Sequence, residues 1–252
     1  MKTCVILLSM LLLAGWAPLY AQQSSDDDNE LKAPRYVKVG AAGGVITSFG
    51  FFKNDEINKA LTAAGMPKLT NDPMVLVGGE GYGYIMVIPN LRIGGFGTGG
   101  KQTITSVTGN IKKEVEYQVS YGGILIDYVV PVVQKFDIAG GFTIGAGSVG
   151  VLMTRDNGSL KNWGDLWSEF KDNTQTQNVT RSLSGTFVAF NPHLNLEYRV
   201  LTWMQVRVGV GYPMLFNSSW QLNDRGDLNN VPDALRPDGV TVNAGLMLGF
   251  FN

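Results

Sequence analysis

Cysteine is nearly absent from this chain of 252 residues: Cys4 is the only one, and it lies in the leading segment. Disulfide staples are therefore excluded from everything beyond that segment. Histidine is as scarce, with His193 alone, so no zinc or iron–sulfur ligand set can be assembled and no metal or other cofactor is expected. Long apolar runs are missing too. The longest, Val5 to Leu13, falls short of the ~20 residues that a membrane-spanning helix needs. A balance of 20 basic and 21 acidic residues leaves no basic footprint, which excludes nucleic acid as a partner.

What the leading segment does contain is the order of an export signal. MKTCVILLSMLLLAGWAPLYA has a basic start, an apolar run and small residues up to Ala21, so residues 1–21 are expected to be a cleaved signal peptide. Residues 22–34, QQSSDDDNELKAP, are polar and acidic and predict a flexible leader. Residues 35–252 are expected to form one domain.

Glycine is the excess, at 32 residues, well above the ~7% of an ordinary globular chain. It is interleaved with two-residue alternation of apolar and polar side chains, the period of a strand with two unlike faces. HLNLEYRVLTWMQVRVGVGY, residues 193–212, is the plainest case. Eight such segments are predicted: 36–49, 74–88, 91–108, 111–129, 136–152, 182–199, 203–215 and 239–251. Their links alternate. The first, third, fifth and seventh are long or protruding, and the second, fourth and sixth are minimal. That is the pattern of an up-and-down antiparallel barrel in an outer membrane, with long loops outside and short turns in the periplasm.

Parity then allots the faces. In the last segment Val240, Val242, Ala244, Leu246, Leu248 and Phe250 form one apolar row. The same test elsewhere puts Val45, Val75, Val77, Ile124, Ile126, Tyr128, Ile138 and Ile144 on the lipid side. Lys38, Glu80, Arg92, Asp127, Asp137, His193, Glu197, Arg199 and Arg207 go inward, because a charge facing hydrocarbon at mid-depth costs ~2–4 kcal/mol. Eight strands enclose only enough room for side chains. A lumen plugged by paired charges is the expectation. A soluble two-sheet sandwich would share the alternation, but not the alternating loop lengths.

The signal peptide, the loop alternation and the final strand GVTVNAGLMLGFFN resemble the small eight-stranded outer-membrane β-barrels of Gram-negative bacteria, the OmpA/OmpX type of architecture. The resemblance implies an all-β, closed transmembrane barrel in the bacterial outer membrane, in contact with its lipid. It carries over no functional residue, since it concerns an architecture and no specific family. The final residues, Phe250, Phe251 and Asn252, depart from the aromatic terminus common in such barrels.

Two loop stretches read as short helices. NDEINKALTAAGMPK has Asn54 as cap, Ile57, Leu61 and Ala64 on one side, and Gly65 before Pro67 as the stop. SLKNWGDLWSEFK carries Trp163, Leu166, Trp167 and Phe170 at the spacing of one apolar face. That face either folds over the barrel mouth or meets a partner or the membrane interface. His193 with Asn195 and Glu197 is either a hydrogen-bonded lumenal histidine or a base with its orienting groups. GGFGTGG at 94–100 lacks the helix and Lys-Ser/Thr of a phosphate loop. The expected role is a non-enzymatic barrel that presents outer loops for surface interaction, envelope integrity or association with a larger outer-membrane complex. A narrow pore or transporter for small or apolar solutes is the alternative, and a lipid-modifying barrel enzyme the further one.

Overall fold

The computed structural model describes residues 39–251 apart from 71, 159–161, 172–177 and 233–234. The expected signal peptide and leader, and Lys38, lie outside the described residues. Ten strands and two helices follow in order: β1 Gly40–Phe52, α1 Asp55–Ala63, β2 Met74–Tyr84, β3 Leu91–Thr108, β4 Ile111–Val133, β5 Phe136–Asp156, α2 Trp163–Lys171, β6 Val179–Leu201, β7 Met204–Gly211, β8 Met214–Leu222, β9 Gly226–Asp227 and β10 Gly239–Phe251. Each wall strand pairs antiparallel with the next, and β10 pairs with β1, so the sheet closes. The ring has eight positions, because β7 and β8 run end to end along β6. The break between them falls at Pro213, which has no N–H to give the ladder. The expected seventh long link therefore begins later, after a strand to Leu222 and a short β8–β9 hairpin.

The wall is all one sheet, yet its chemistry inverts part-way up. In β4 the odd positions point inward throughout. Above Gly122 they are Val115, Tyr117, Val119 and Tyr121, all buried, while Glu114, Glu116, Gln118 and Ser120 face out. Below Gly123 the outward positions are Ile124, Ile126, Tyr128, Val130 and Val132, and Asp127 faces in. β6 inverts in the same sense, with Phe187 and Ala189 buried above and Asn191, Asn195 and Glu197 buried below. On its outer face Ser182, Ser184 and Thr186 give way to Val188, Leu194, Leu196 and Tyr198. A strand in water buries its apolar row, whereas a strand in hydrocarbon exposes it. The switch thus marks the upper edge of the lipid-facing belt. Just above it Ser120 Oγ lies 2.9 Å from Ser148 Oγ, and Thr186 Oγ1 lies 2.8 Å from Ser219 Oγ.

The upper interior is consequently an ordinary hydrophobic core. It gathers Leu76, Tyr117, Val119, Val149, Val151, Phe187, Leu215 and Trp220, and α1 closes it from above with Ile57 and Leu61. Met66 and Leu69 beyond the helix join the same cluster. Asn58 Oδ1 accepts a 2.7 Å bond from the Leu69 amide, and Lys113 Nζ donates to the Ala64 carbonyl at 2.8 Å, so the loop is tied back to the β3–β4 hairpin. Gly65, at φ +69°, ends the helix as expected. Two expectations fail here. Asn54 makes no side-chain capping bond, and Ala64 is exposed past the helix end.

Candidate functional site: the lumen and the outer loops

Below the apolar core the lumen holds charge. Arg92 enters from β3 and is fully buried. Its Nε and Nη2 donate to Asp127 Oδ2 at 3.0 and 2.8 Å. Its Nη1 and Nη2 donate to Glu197 Oε2 and Oε1 at 2.9 and 2.6 Å. The guanidinium also lies 4.0 Å from the centre of the Tyr82 ring. This planar, two-sided grip is what arginine does better than lysine. Register explains it: Arg92 stands opposite Asp127, and Glu197 opposite Arg207.

Arg207 is the second buried cation. Its Nη1 lies 2.6 Å from Glu80 Oε1 and 3.6 Å from Glu197 Oε1. The first contact is close but poorly aimed, so it acts as an ion pair without a directed hydrogen bond. His193 Nε2 is 2.6 Å from Asp127 Oδ1, and its Nδ1 is 3.2 Å from the Asn191 carbonyl. Each ring nitrogen therefore faces an acceptor, leaving neither free to draw a proton from a nucleophile. Asp137 is buried beside them, opposite Glu197. Arg199 is half-buried near the short-turn end of β6, opposite Gln205.

Six of the nine expected lumenal residues thus make one connected set: Glu80, Arg92, Asp127, His193, Glu197 and Arg207. Charge fills only the lower part of the bore, and the apolar core fills the upper part. Sequence parity missed the upper core because a single inside-outside allotment was applied along whole strands; the inversion at Gly122–Gly123 is the signal that could have found it. Between the two storeys lies a small cavity lined by Ser48, Glu80, Phe96, Tyr121, Thr143 and His193, among others. Among the charges, Tyr82, Leu125 and Met247 are buried together, with Tyr84 and Phe251 packed against them.

Glycine on β7 makes room for the polar layer. A Cβ on Gly209 would strike the Asn195 side chain, and one on Gly211 would lie 2.7 Å from Asn191 Oδ1.

The outer loops carry the other expected site. α2 forms as predicted, but its apolar face is not folded over the mouth. Trp163 is 75% exposed and Phe170 80%, and the helix buries none of its residues. Trp163, Trp167 and Phe170 instead pack edge to face on one another, with ring centres 5.7 and 6.1 Å apart. Glu169 accepts a 2.7 Å bond from Asn178 Nδ2, and Asn178 Oδ1 accepts one from the Asn157 amide, which holds the helix to the ends of β5 and β6.

No protein-family model matches the sequence, and a search of curated proteins finds no match. Among solved structures the chain is similar to a major outer membrane protein from Thermus thermophilus, with 8% identity over 83% of this chain and 99% of that one, TM-score 0.45. It is similar also to the attachment invasion locus protein Ail of Yersinia pestis in complex with the heparin analogue sucrose octasulfate, with 11% identity over 85% and 98%, TM-score 0.41. The outer membrane protease OmpT from Escherichia coli follows at 12% identity over 84% and 97%, TM-score 0.31. Similarity of this degree concerns fold alone. The belt itself carries the membrane assignment. Val45, Val77, Ile124, Tyr128, Val208, Leu248 and Phe250 all stand exposed around a closed sheet, a surface that water would not tolerate. A closed sheet with such a belt is built to stand in a lipid membrane.

Proposed function

We propose that this barrel is a non-conducting, non-catalytic anchor whose outer loops make contact with a partner at the cell surface. The observation that carries this is the doubly filled lumen. A layer of paired charges around Arg92 lies under an apolar storey capped by α1, so an ion crossing the bore would have to displace both layers. A pore needs a continuous column of water instead. The engagement of both His193 nitrogens supports the non-catalytic part.

The contact surface is the aromatic face of α2, tied through Asn178 to the ends of β5 and β6. Its residues are held above the inversion point by the extended ends of β5 and β6, and they are pre-stacked, which lowers the ordering cost of binding. Association with a surface ligand or another outer-membrane protein suits this geometry. Planar-bilayer recording tests the first half: purified barrel should give no discrete conductance steps, and steady ohmic channels would refute a sealed lumen. Whole cells test the second. Trp163→Ala with Trp167→Ala should leave assembly and heat-dependent gel mobility intact while abolishing surface cross-links made by wild type.

A further inference from the structure

The short-turn end of the barrel is more apolar than a water-facing end should be. Met86 is 77% exposed and Val87 88%, and Ile88 completes the β2–β3 turn. Val132 and Val133 are exposed at the β4–β5 turn, as are Leu201 and Trp203 at the β6–β7 turn. These tips continue the outward rows directly. Val130 and Val132 prolong Ile124, Ile126 and Tyr128, and Val200 prolongs Leu196 and Tyr198.

Length decides what covers them. The hydrophobic inversion fixes the upper edge of the belt near Gly122 on β4. The ten residues from there to Val132 rise about 33 Å along the strand, and a strand tilt of about 40° reduces this to about 25 Å of depth. An outer-membrane hydrocarbon belt is itself about 25 Å tall. The wall has nothing to spare: hydrocarbon that begins at Gly122 ends at the turn tips. Lys135 is exposed in the β4–β5 turn and Arg199 half-buried beside the β6–β7 turn, cationic partners for phosphate at that depth.

We infer that the three short turns do not project into periplasmic water but are seated in the inner leaflet of the membrane, with phospholipid as their partner. This rests on the membrane placement of the barrel, and the test separates the two. In a Cys4→Ser background the chain has no other thiol, so Val87→Cys, Val133→Cys and Leu201→Cys can each carry one environment-sensitive fluorophore. Ile124→Cys reports mid-belt and Val107→Cys the hairpin in water. Each variant is reconstituted in phosphatidylethanolamine and phosphatidylglycerol vesicles, its fold checked by heat-dependent gel mobility. The turn sites should show blue-shifted emission, loss of intensity with lipid brominated near the headgroup, and protection from aqueous iodide; Val107 should show none of these. If the turn sites are open to iodide while Ile124 is quenched by lipid, the turns stand in water and the inference is overturned. If Ile124 escapes lipid quenching too, the membrane placement itself fails.

Discussion

Replacing Arg92 by methionine removes one charge from a place where two others depend on it. Four donor contacts of 2.6 to 3.0 Å join its guanidinium to Asp127 and Glu197, and both carboxylates are buried. Methionine fills the volume of the stem but leaves those carboxylates facing each other in a low-dielectric layer. Breaking a buried pair from one side costs about 3–5 kcal/mol, because the surviving charge is stranded. The lower end applies here, since Arg207 Nη1 already lies 3.6 Å from Glu197 and can move toward it. With a urea dependence of about 2 kcal/mol per molar, a loss of about 3 kcal/mol lowers the unfolding midpoint by roughly 1.5 M. The assay is tryptophan fluorescence against urea for barrel folded in phospholipid vesicles. A triple variant, Arg92→Met with Asp127→Asn and Glu197→Gln, should recover most of the loss, because neutral amides are not stranded by the absence of a cation. A midpoint within error of wild type for the single variant, or a triple variant worse than the single, would show that the layer is hydrated and that its pairing does not hold the barrel.

Three other perturbations probe different parts of the wall. Val45→Arg, on the lipid face, should cost about 2–4 kcal/mol in the same titration, whereas Val107→Arg near the hairpin tip should be neutral; equal effects would refute the belt. Gly209→Val should block assembly or shift it to low yield, because its first side-chain atom meets Asn195 and lies 2.8 Å from the Leu194 carbonyl oxygen, and Asn195→Ala in the same chain should restore only part of the yield, since the backbone contact remains. The hairpin carries the pH dependence. A hydrogen bond from Lys112 holds the Glu114 carboxyl below its usual range, so that contact is complete above the ordinary carboxylate value and fades as pH falls through the depressed one. The hydrogen bond to Glu116 raises Lys101, whose contact is complete below the ordinary lysine value and is lost only as pH climbs through the raised one. Amide shifts in residues 101–116 should move below about pH 4 and above about pH 10 and stay flat between, weakly so in high salt because these groups are exposed.

The strands and their faces were legible in the sequence wherever the two solvents differ sharply. Residues 193–212 put Glu197 and Arg207 inward and Leu194, Val206 and Val208 outward, as alternation requires when one side is hydrocarbon. What could not be read from periodicity is which solvent lies on which side. Val115, Tyr117, Val119 and Tyr121 alternate as cleanly as Ile124, Ile126 and Tyr128, but in the opposite phase. Only the phase slip across Gly122–Gly123 separates a core in water from a belt in lipid. Strand ends ran past expectation for the same reason. β5 and β6 continue above the membrane to 156 and 179, past the expected 152 and 182, because a water-facing wall with its own core costs nothing in lipid contact. Helix α2 was legible as a helix, but its apolar face was not legible as open, since spacing says nothing of what lies opposite.

The two storeys make separate seals, and that has a consequence for the anchor role. Opening the upper one means lifting α1 and its tail, which exposes Ile57, Leu61, Met66 and Leu69 together. At about 1.5–3 kcal/mol for each buried side chain, the open form lies about 6–12 kcal/mol above the closed one, too rare to carry current. Excising residues 55–70 in favour of a short Gly-Ser link removes that seal at a stroke. The charge layer remains, with Arg92, Asp127, Glu197 and Arg207 still buried across the bore, so the excised barrel should still show no conductance. Adding Arg92→Ala to the excision breaches both, and measurable leak should begin there. Conductance from the excision alone would mean that ions pass the charge layer freely, and the lower storey would then be a selective constriction closed by a loop, which is the design of a gated pore and not of an anchor.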